Sequence, residues 1–155
     1  MDDILKQLLQ EEQELQFTSF NKLTAWQIGS QLVNTSLSKN LPVTIDITQG
    51  DHQLFHASLP GTSADNGEWI KRKVRLVYRF GHSSFYMGQL LKRKGKRIEE
   101  AYLISESDYA PHGGCFPVIV KGIGMVGTIT VSGLAQEEDH KLVVQSIREF
   151  LAKEK

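Results

Sequence analysis

The sequence predicts an α+β fold, an antiparallel sheet with helices packed on it. Three observations lead there. Two stretches, near 43–58 and 116–131, read as hairpins of β-branched strands. Apolar residues elsewhere recur at helical spacing. The resulting order is helix, strand, helix, hairpin, two helices, hairpin, helix, and hairpins pair antiparallel. The chain has 155 residues without an internal repeat or a Pro/Ser-rich linker. A single domain over 1–155 is expected.

Each element has its own signature. Residues 2–13 set Ile4, Leu5, Leu8 and Leu9 on one stripe, with Glu11 and Glu12 on the polar side. "LQFTSF" alternates Leu15 and Phe17 with polar residues, a short strand at 15–20. At 22–38 Leu23, Trp26, Val33 and Leu37 line up, flanked by Ile28 and Leu32, so this helix is apolar over a wide arc. The Pro42 that follows stops it. Val43, Ile45 and Ile47 then alternate with Thr44, Asp46 and Thr48. If Gln49, Gly50 and Asp51 form the loop, Ile45 faces Phe55, and Val43 faces Ala57. A shorter loop would put His56 opposite Ile45, and a one-residue slip flips every side chain. The register that keeps apolar with apolar is expected, with His52, His56, Thr44 and Asp46 together on the other face.

"PGTSADNGEW" turns into a helix that Ser63, Asp65 or Asn66 can cap. Trp69, Ile70, Val74 and Val77 give its spacing. Ser83 or Ser84 starts another helix through Phe85, Met87, Leu90 and Leu91, ending at the solvated "KRKGKR". Residues 97–111 fit either a helix or an extended loop. "FPVIVKG" and "MVGTITVSG" are buried strands joined by a turn at Gly122–Gly124. A helix at 136–152 closes the chain on Leu142, Val143, Ile147, Phe150 and Leu151, with Glu137, Glu138 and Asp139 at its positive end. Trp26, Ile45, Phe55, Val118, Ile129, Val143 and Ile147 are the expected core.

Composition narrows function by exclusion. Lysine plus arginine (18) balances aspartate plus glutamate (18). Nucleic-acid binders and acidic-membrane binders use a basic field, so neither partner is expected. The lone Cys115 fits a reducing compartment. The acidic N-terminus does not read as a signal peptide, and no apolar run approaches the ~20 residues of a membrane helix. A cytoplasmic protein is the expectation.

The best local signal for chemistry is His112-Gly113-Gly114. Paired glycines let backbone approach a ligand, and consecutive N–H groups form an anion nest; the same residues also make an ordinary turn before a strand. Lys73 or Arg79, from a basic helix, and the Ser83–Ser84 turn are expected nearby, bordering a small-ligand cleft. "GIGMVG" matches a dinucleotide fingerprint by letter but lies between two strands, and no P-loop spacing occurs. His52 and His56 sit about 13 Å apart along a strand. Cys115, His112, His82 and His140 lack zinc spacings. No metal site is expected, and no cofactor is assigned. Cys115 reads as a small buried hydrophobe.

"FHASLPGTSADNGEWIKRK", "RFGHSS" and "HGGCFPVIVKG…VGTITVSGLAQEEDH" resemble an uncharacterised protein family of bacteria and fungi. That family is similar in turn to the haem-degrading, GlcG/HbpS-like superfamily. The resemblance covers nearly the whole chain. It implies a profilin-like antiparallel sheet of about five strands flanked by helices, and a homo-oligomer built from dimers. It implies no settled activity. The superfamily's elements match Gly113, Gly114, Pro117, Gly122, Gly127, Val131, Ser132 and Gly133, which read as fold-defining. No haem-ligating residue of the superfamily matches a position in this sequence. The "PGTSADNGEW" and "GHSS" segments belong to the closer family and not to the haem binders. The leading expectation is therefore a soluble, homo-oligomeric binding or assembly module with a small-ligand cleft. An enzyme for a small anionic metabolite, with His112 as acid or base, and a haem-binding or haem-processing protein are the alternatives.

Overall fold

The computed structural model describes residues 3–154. Its elements are α1 (Asp3–Glu14), α2 (Lys22–Ser38), β1 (Thr44–Gln49), β2 (His52–Ser58), α3 (Ala64–Phe80), α4 (Ser84–Lys94), α5 (Ile98–Tyr102), β3 (Cys115–Val120), β4 (Gly124–Ser132) and α6 (Gln136–Lys153). The sheet is antiparallel and runs β2-β1-β4-β3. The α+β class and both hairpins are as the sequence predicts.

Four strands form the sheet, not five. The expected strand at 15–20 shrinks to one parallel bridge between Phe17 and Val120. Phe17 N–H donates to the Ile119 carbonyl at 2.7 Å, and Lys121 N–H donates to the Phe17 carbonyl at 2.9 Å. The Phe17 ring is fully buried against Phe20 and Phe150. With helices beginning and ending close on either side, this segment has room to anchor one ring and not to extend a ladder. Of the two alternatives for 97–111, the five-residue α5 opens the segment and a loop follows.

The β1–β2 register differs from the expected one. Ile45 faces Ala57, and Ile47 faces Phe55. The turn is two residues, Gly50–Asp51, flanked by Gln49 and His52, and the register shifts between Ile47 and Thr48. The extra residue of that bulge cancels the parity change of the shorter loop. Apolar still meets apolar, and Asp46 faces His56.

Both sheet faces are covered at the centre. Helices α2 and α6 pack on one face over Val43, Ile45, Ile47, Phe116, Val118, Ile129 and Val131, all buried. Helix α3 lies on the other face, where Tyr78 meets Thr48, and Asn66 meets Ser132. The residues beneath α3 are polar yet buried: Thr44, Asp46, Thr128, Thr130 and Ser132. A second cluster forms under α1, α4 and α5 around Leu5, Leu8, Leu76, Phe85, Met87 and Ile98.

Two expected core residues lie elsewhere. Trp26 is 62% exposed, and Phe55 is half-buried. The arc of α2 that faces the sheet is Ala25, Ile28, Gly29, Leu32 and Ser36, so Leu23, Trp26 and Leu37 project outward. Phe55 lies on the edge strand and packs over Gly29, in T-shaped contact with Trp26 at 5.8 Å. Ile45, Val118, Ile129, Val143 and Ile147 are fully buried, as expected. No helix among the described residues is long and apolar enough to cross a membrane.

Candidate functional site

Lys73 is the least expected residue on α3. It lies three residues after Ile70 and four before Val77, on the buried stripe, and is 3% exposed. A buried ammonium needs partners. Lys73 Nζ donates to Asp139 Oδ2 at 3.3 Å and to the Val131 carbonyl at 3.2 Å. Asp139, in the first turn of α6, accepts from Leu134 N–H through its other oxygen at 2.9 Å. Burial pulls the Lys73 ammonium below its ordinary value, and the Asp139 charge opposes that. Burial likewise pushes the Asp139 carboxyl up, with Lys73 opposing.

This pair forms the floor of a cleft of about 300 Å³ between the start of α3, the end of β4 and the start of α6. Asp65, Asn66, Trp69, His112, Ser132 and Gln136 contribute the walls. The α3 terminus is set by Ser63, whose N–H donates to Asn66 Oδ1 at 2.9 Å. His112 stands edge-on to Trp69 at 5.5 Å, and the Arg72 guanidinium lies 4.5 Å from the same indole. Burial, then the charges of Lys73 and Arg72, hold the His112 imidazole below its ordinary value. Its ring nitrogens have no hydrogen-bond partner among the described residues. It is a neutral imidazole near pH 7, able to accept or to donate one hydrogen bond.

The structure brings His112 and Lys73 into this cleft and sets Gly113 and Gly114 against it; Arg79, Ser83 and Ser84 do not line it. Gly113 and Gly114 pack behind the wall. Gly113 N–H donates to Gln136 Oε1 at 3.0 Å. Gly114 has φ +137°, and a Cβ there would strike the Val131 carbonyl and stand 2.7 Å from Lys73 Nζ. A side chain at Gly114 would therefore displace the ammonium. Ser83 caps α4, accepting from Tyr86 N–H at 3.1 Å, and is buried. Ser84 Oγ accepts from Cys115 N–H at 3.0 Å and stitches α4 to β3. Arg79 lies near the end of α3 over the Phe80 and Tyr109 rings, outside the cleft lining. Cys115 is wholly buried, and burial pushes its thiol up to about 12.

Asp139, Trp69 and Asn66 are cleft residues that sequence reasoning misses. Asp139 reads as one of three acids suiting a helix start, Trp69 as part of an apolar stripe and Asn66 as a cap. The one usable signal is Lys73 itself, a lysine at a core position of the α3 pattern. No group of three or more metal-ligating side chains occurs among the described residues. A larger hollow of about 820 Å³ lies between α1, α2 and α6. It is aliphatic at the base and rimmed by charges already partnered: Lys141 and Arg148 with carboxylates, and Glu11 with the buried His140 at 2.9 Å.

Comparison with known proteins places this architecture. The chain is 45% identical over 154 residues to a UPF0303 protein of Rhizobium etli (strain CIAT 652), covering 99% of this chain and 93% of the relative. The crystal structure of the Ybr137w protein superposes with a TM-score of 0.90 at 34% identity, covering 97% of this chain and 88% of that one. A PduOC–haem complex superposes at 0.67 with 18% identity over 85% of this chain and 94% of that one, a likeness of fold. The family model described as "Haem degrading protein HbpS-like" matches residues 20–148, and the chain belongs to that HbpS-like family.

Proposed function

We propose that the protein is a small-ligand-binding module whose site is the cleft of Lys73, Asp139 and His112. The observation that carries this reading is the buried Lys73–Asp139 pair at the floor of an open cleft. A buried ion pair is weak support for stability, because desolvation offsets the attraction. Titratable groups whose proton affinities are shifted by burial and by one another, converging on a concavity, are instead a common mark of a binding or reaction site. The floor offers an amine and a carboxyl, and the wall offers a neutral imidazole, an amide from Asn66 and an indole edge. This set matches a small polar metabolite bearing a carboxylate or carbonyl, which Lys73 would hold by hydrogen bond and charge. Assembly is the second part of the proposal. Leu23, Trp26 and Leu37 form an exposed apolar seam on the outer face of α2, and a second copy of the chain is its fitting partner.

Haem, the group named in the family's description, is the second reading, and His112 favours it as a neutral, unpartnered imidazole. The rest of the lining argues the other way. Asp65, Asn66, Lys73, Ser132, Gln136 and Asp139 make polar walls, and about 300 Å³ is the low end for any small-molecule pocket. A flat macrocycle needs apolar faces, so these residues do not fit haem within one chain.

The experiment is a thermal-shift panel of small carboxylates, phosphates and amides, with hemin titrated in parallel. Binding to the native state raises the melting temperature. At least one small polar compound should stabilise the wild-type chain and fail to stabilise His112→Ala. A hemin absorption band that appears with the wild type and disappears in His112→Ala would replace this reading with the second.

A further inference from the structure

The run "KRKGKR", residues 92–97, ends α4 and is exposed, with no role in the cleft described above. Its side chains border a third hollow, of about 330 Å³, between α4, the start of α5 and the segment before β3. Arg72, Lys92, Lys96 and Arg97 line it against a single carboxylate, Glu106. Arg72 is oriented by donating its guanidinium N–H groups to the Glu106 backbone carbonyl and by lying over Trp69. Arg97 is shared with Glu99 and Glu100 at 3.5 Å. Lys92 and Lys96 meet no carboxylate among the described residues. The chain as a whole carries no net charge, so this field is local.

This hollow and the Lys73 cleft share two lining residues, His112 and Gln136. One face of the His112 wall looks on the Lys73–Asp139 floor, and the other side opens on the basic groove. We propose that the groove is an anion subsite of the same binding site, and that the ligand is a small metabolite carrying a phosphate or pyrophosphate end. The polar head would occupy the Lys73 cleft, and the phosphate end would lie between Arg72, Lys92 and Lys96. Arg72 supplies a planar fork for phosphate oxygens and the lysines supply point charges. The groove is a short pocket ending at His112 and not a long track, which favours a small anion over a nucleic-acid backbone. This inference rests on the reading of the Lys73 cleft as a ligand site, and its test separates the two.

The probe is inorganic pyrophosphate, titrated calorimetrically into the full chain at fixed ionic strength, with citrate as a polycarboxylate control and a short single-stranded oligonucleotide as competitor. Saturable pyrophosphate binding is expected. It should weaken by at least ~10-fold in the charge-reversed Lys92→Glu/Lys96→Glu chain, about the loss of one charge-assisted hydrogen bond. Both lysines are exposed, so that variant should fold normally. Pyrophosphate binding that Lys92→Glu/Lys96→Glu weakens, in a chain whose Lys73 cleft takes up no small carboxylate or amide of the thermal-shift panel, would keep the subsite even if the cleft reading fails. Citrate binding as tightly as pyrophosphate would overturn the phosphate assignment. So would oligonucleotide binding far tighter than pyrophosphate, or pyrophosphate binding that Lys92→Glu/Lys96→Glu leaves unchanged.

Discussion

At the scale of single residues, two histidines are pushed in opposite directions by their neighbours. His112 is held below the ordinary value of 6.5 by burial and by Lys73 and Arg72. His82 is raised above it, chiefly by its 2.7 Å hydrogen bond to Glu12 on α1. The signs lead to different pH behaviour. The stabilisation from His82 is complete below 6.5 and fades as pH rises through its higher folded value. For His112 the unfolded chain takes up the proton first, so stability falls as pH drops below 6.5 towards its lower folded value. An NMR titration of the imidazole signals should show His112 titrating below 6.5 and His82 above it; the reverse order would refute both environments. Cys115 offers a third check. A buried thiol pushed up to about 12 is almost wholly protonated at pH 8, so it should resist alkylation in the native state and react quickly once unfolded. Lys73→Met should destabilise by about 3–5 kcal/mol in chemical denaturation, because Asp139 would remain buried without its partner. Lys73→Met/Asp139→Asn should recover part of that loss.

At the scale of elements, the sheet is held by its central strands. Ile129 on β4 is fully buried beneath α2 and α6, and Ile129→Ala should cost roughly 2–5 kcal/mol in denaturant unfolding. A loss under about 0.5 kcal/mol, the range of surface sites, would contradict its placement. Much of this layout is legible in the sequence because β-branched alternation and helical stripes report local periodicity. What escapes is non-local. The bulge in β2 restores a parity that loop length alone would break, and no residue type in "QGDHQLF" marks it. The Phe17 segment alternates like a strand, yet only one residue finds a partner. On α2 the sequence shows two apolar arcs, and periodicity cannot choose which one meets the sheet. The cleft follows the same pattern: His112 and Lys73 are visible as a glycine-flanked imidazole and a basic helix, whereas Asp139 reaches the site only because α6 returns beside β4.

At the scale of the whole molecule, the outward arc of α2 is the unspent surface. Trp26 and Leu23 are each 62% exposed and Leu37 is 50% exposed on one helix. A symmetric dimer would take this seam out of water, which is the assembly proposed above. Light scattering at micromolar concentration should give at least twice the chain mass of 17.5 kDa. Trp26→Glu should shift that mass to one chain without unfolding it, since the side chain lies outside the core. A wild-type mass of one chain would contradict the assembly.

The cleft is the central claim, and the chain carries its own reporter for it. There are two tryptophans, Trp26 on the α2 surface and Trp69 in the cleft wall. In a Trp26→Phe chain, fluorescence comes from Trp69 alone. Titrating small carboxylates, phosphates and amides while following that emission tests the site directly. A saturable change with at least one compound, abolished by adding His112→Ala, is the predicted result. A Trp69 signal that stays flat across the panel, or responds equally with and without His112, would contradict a ligand site at Lys73, Asp139 and His112.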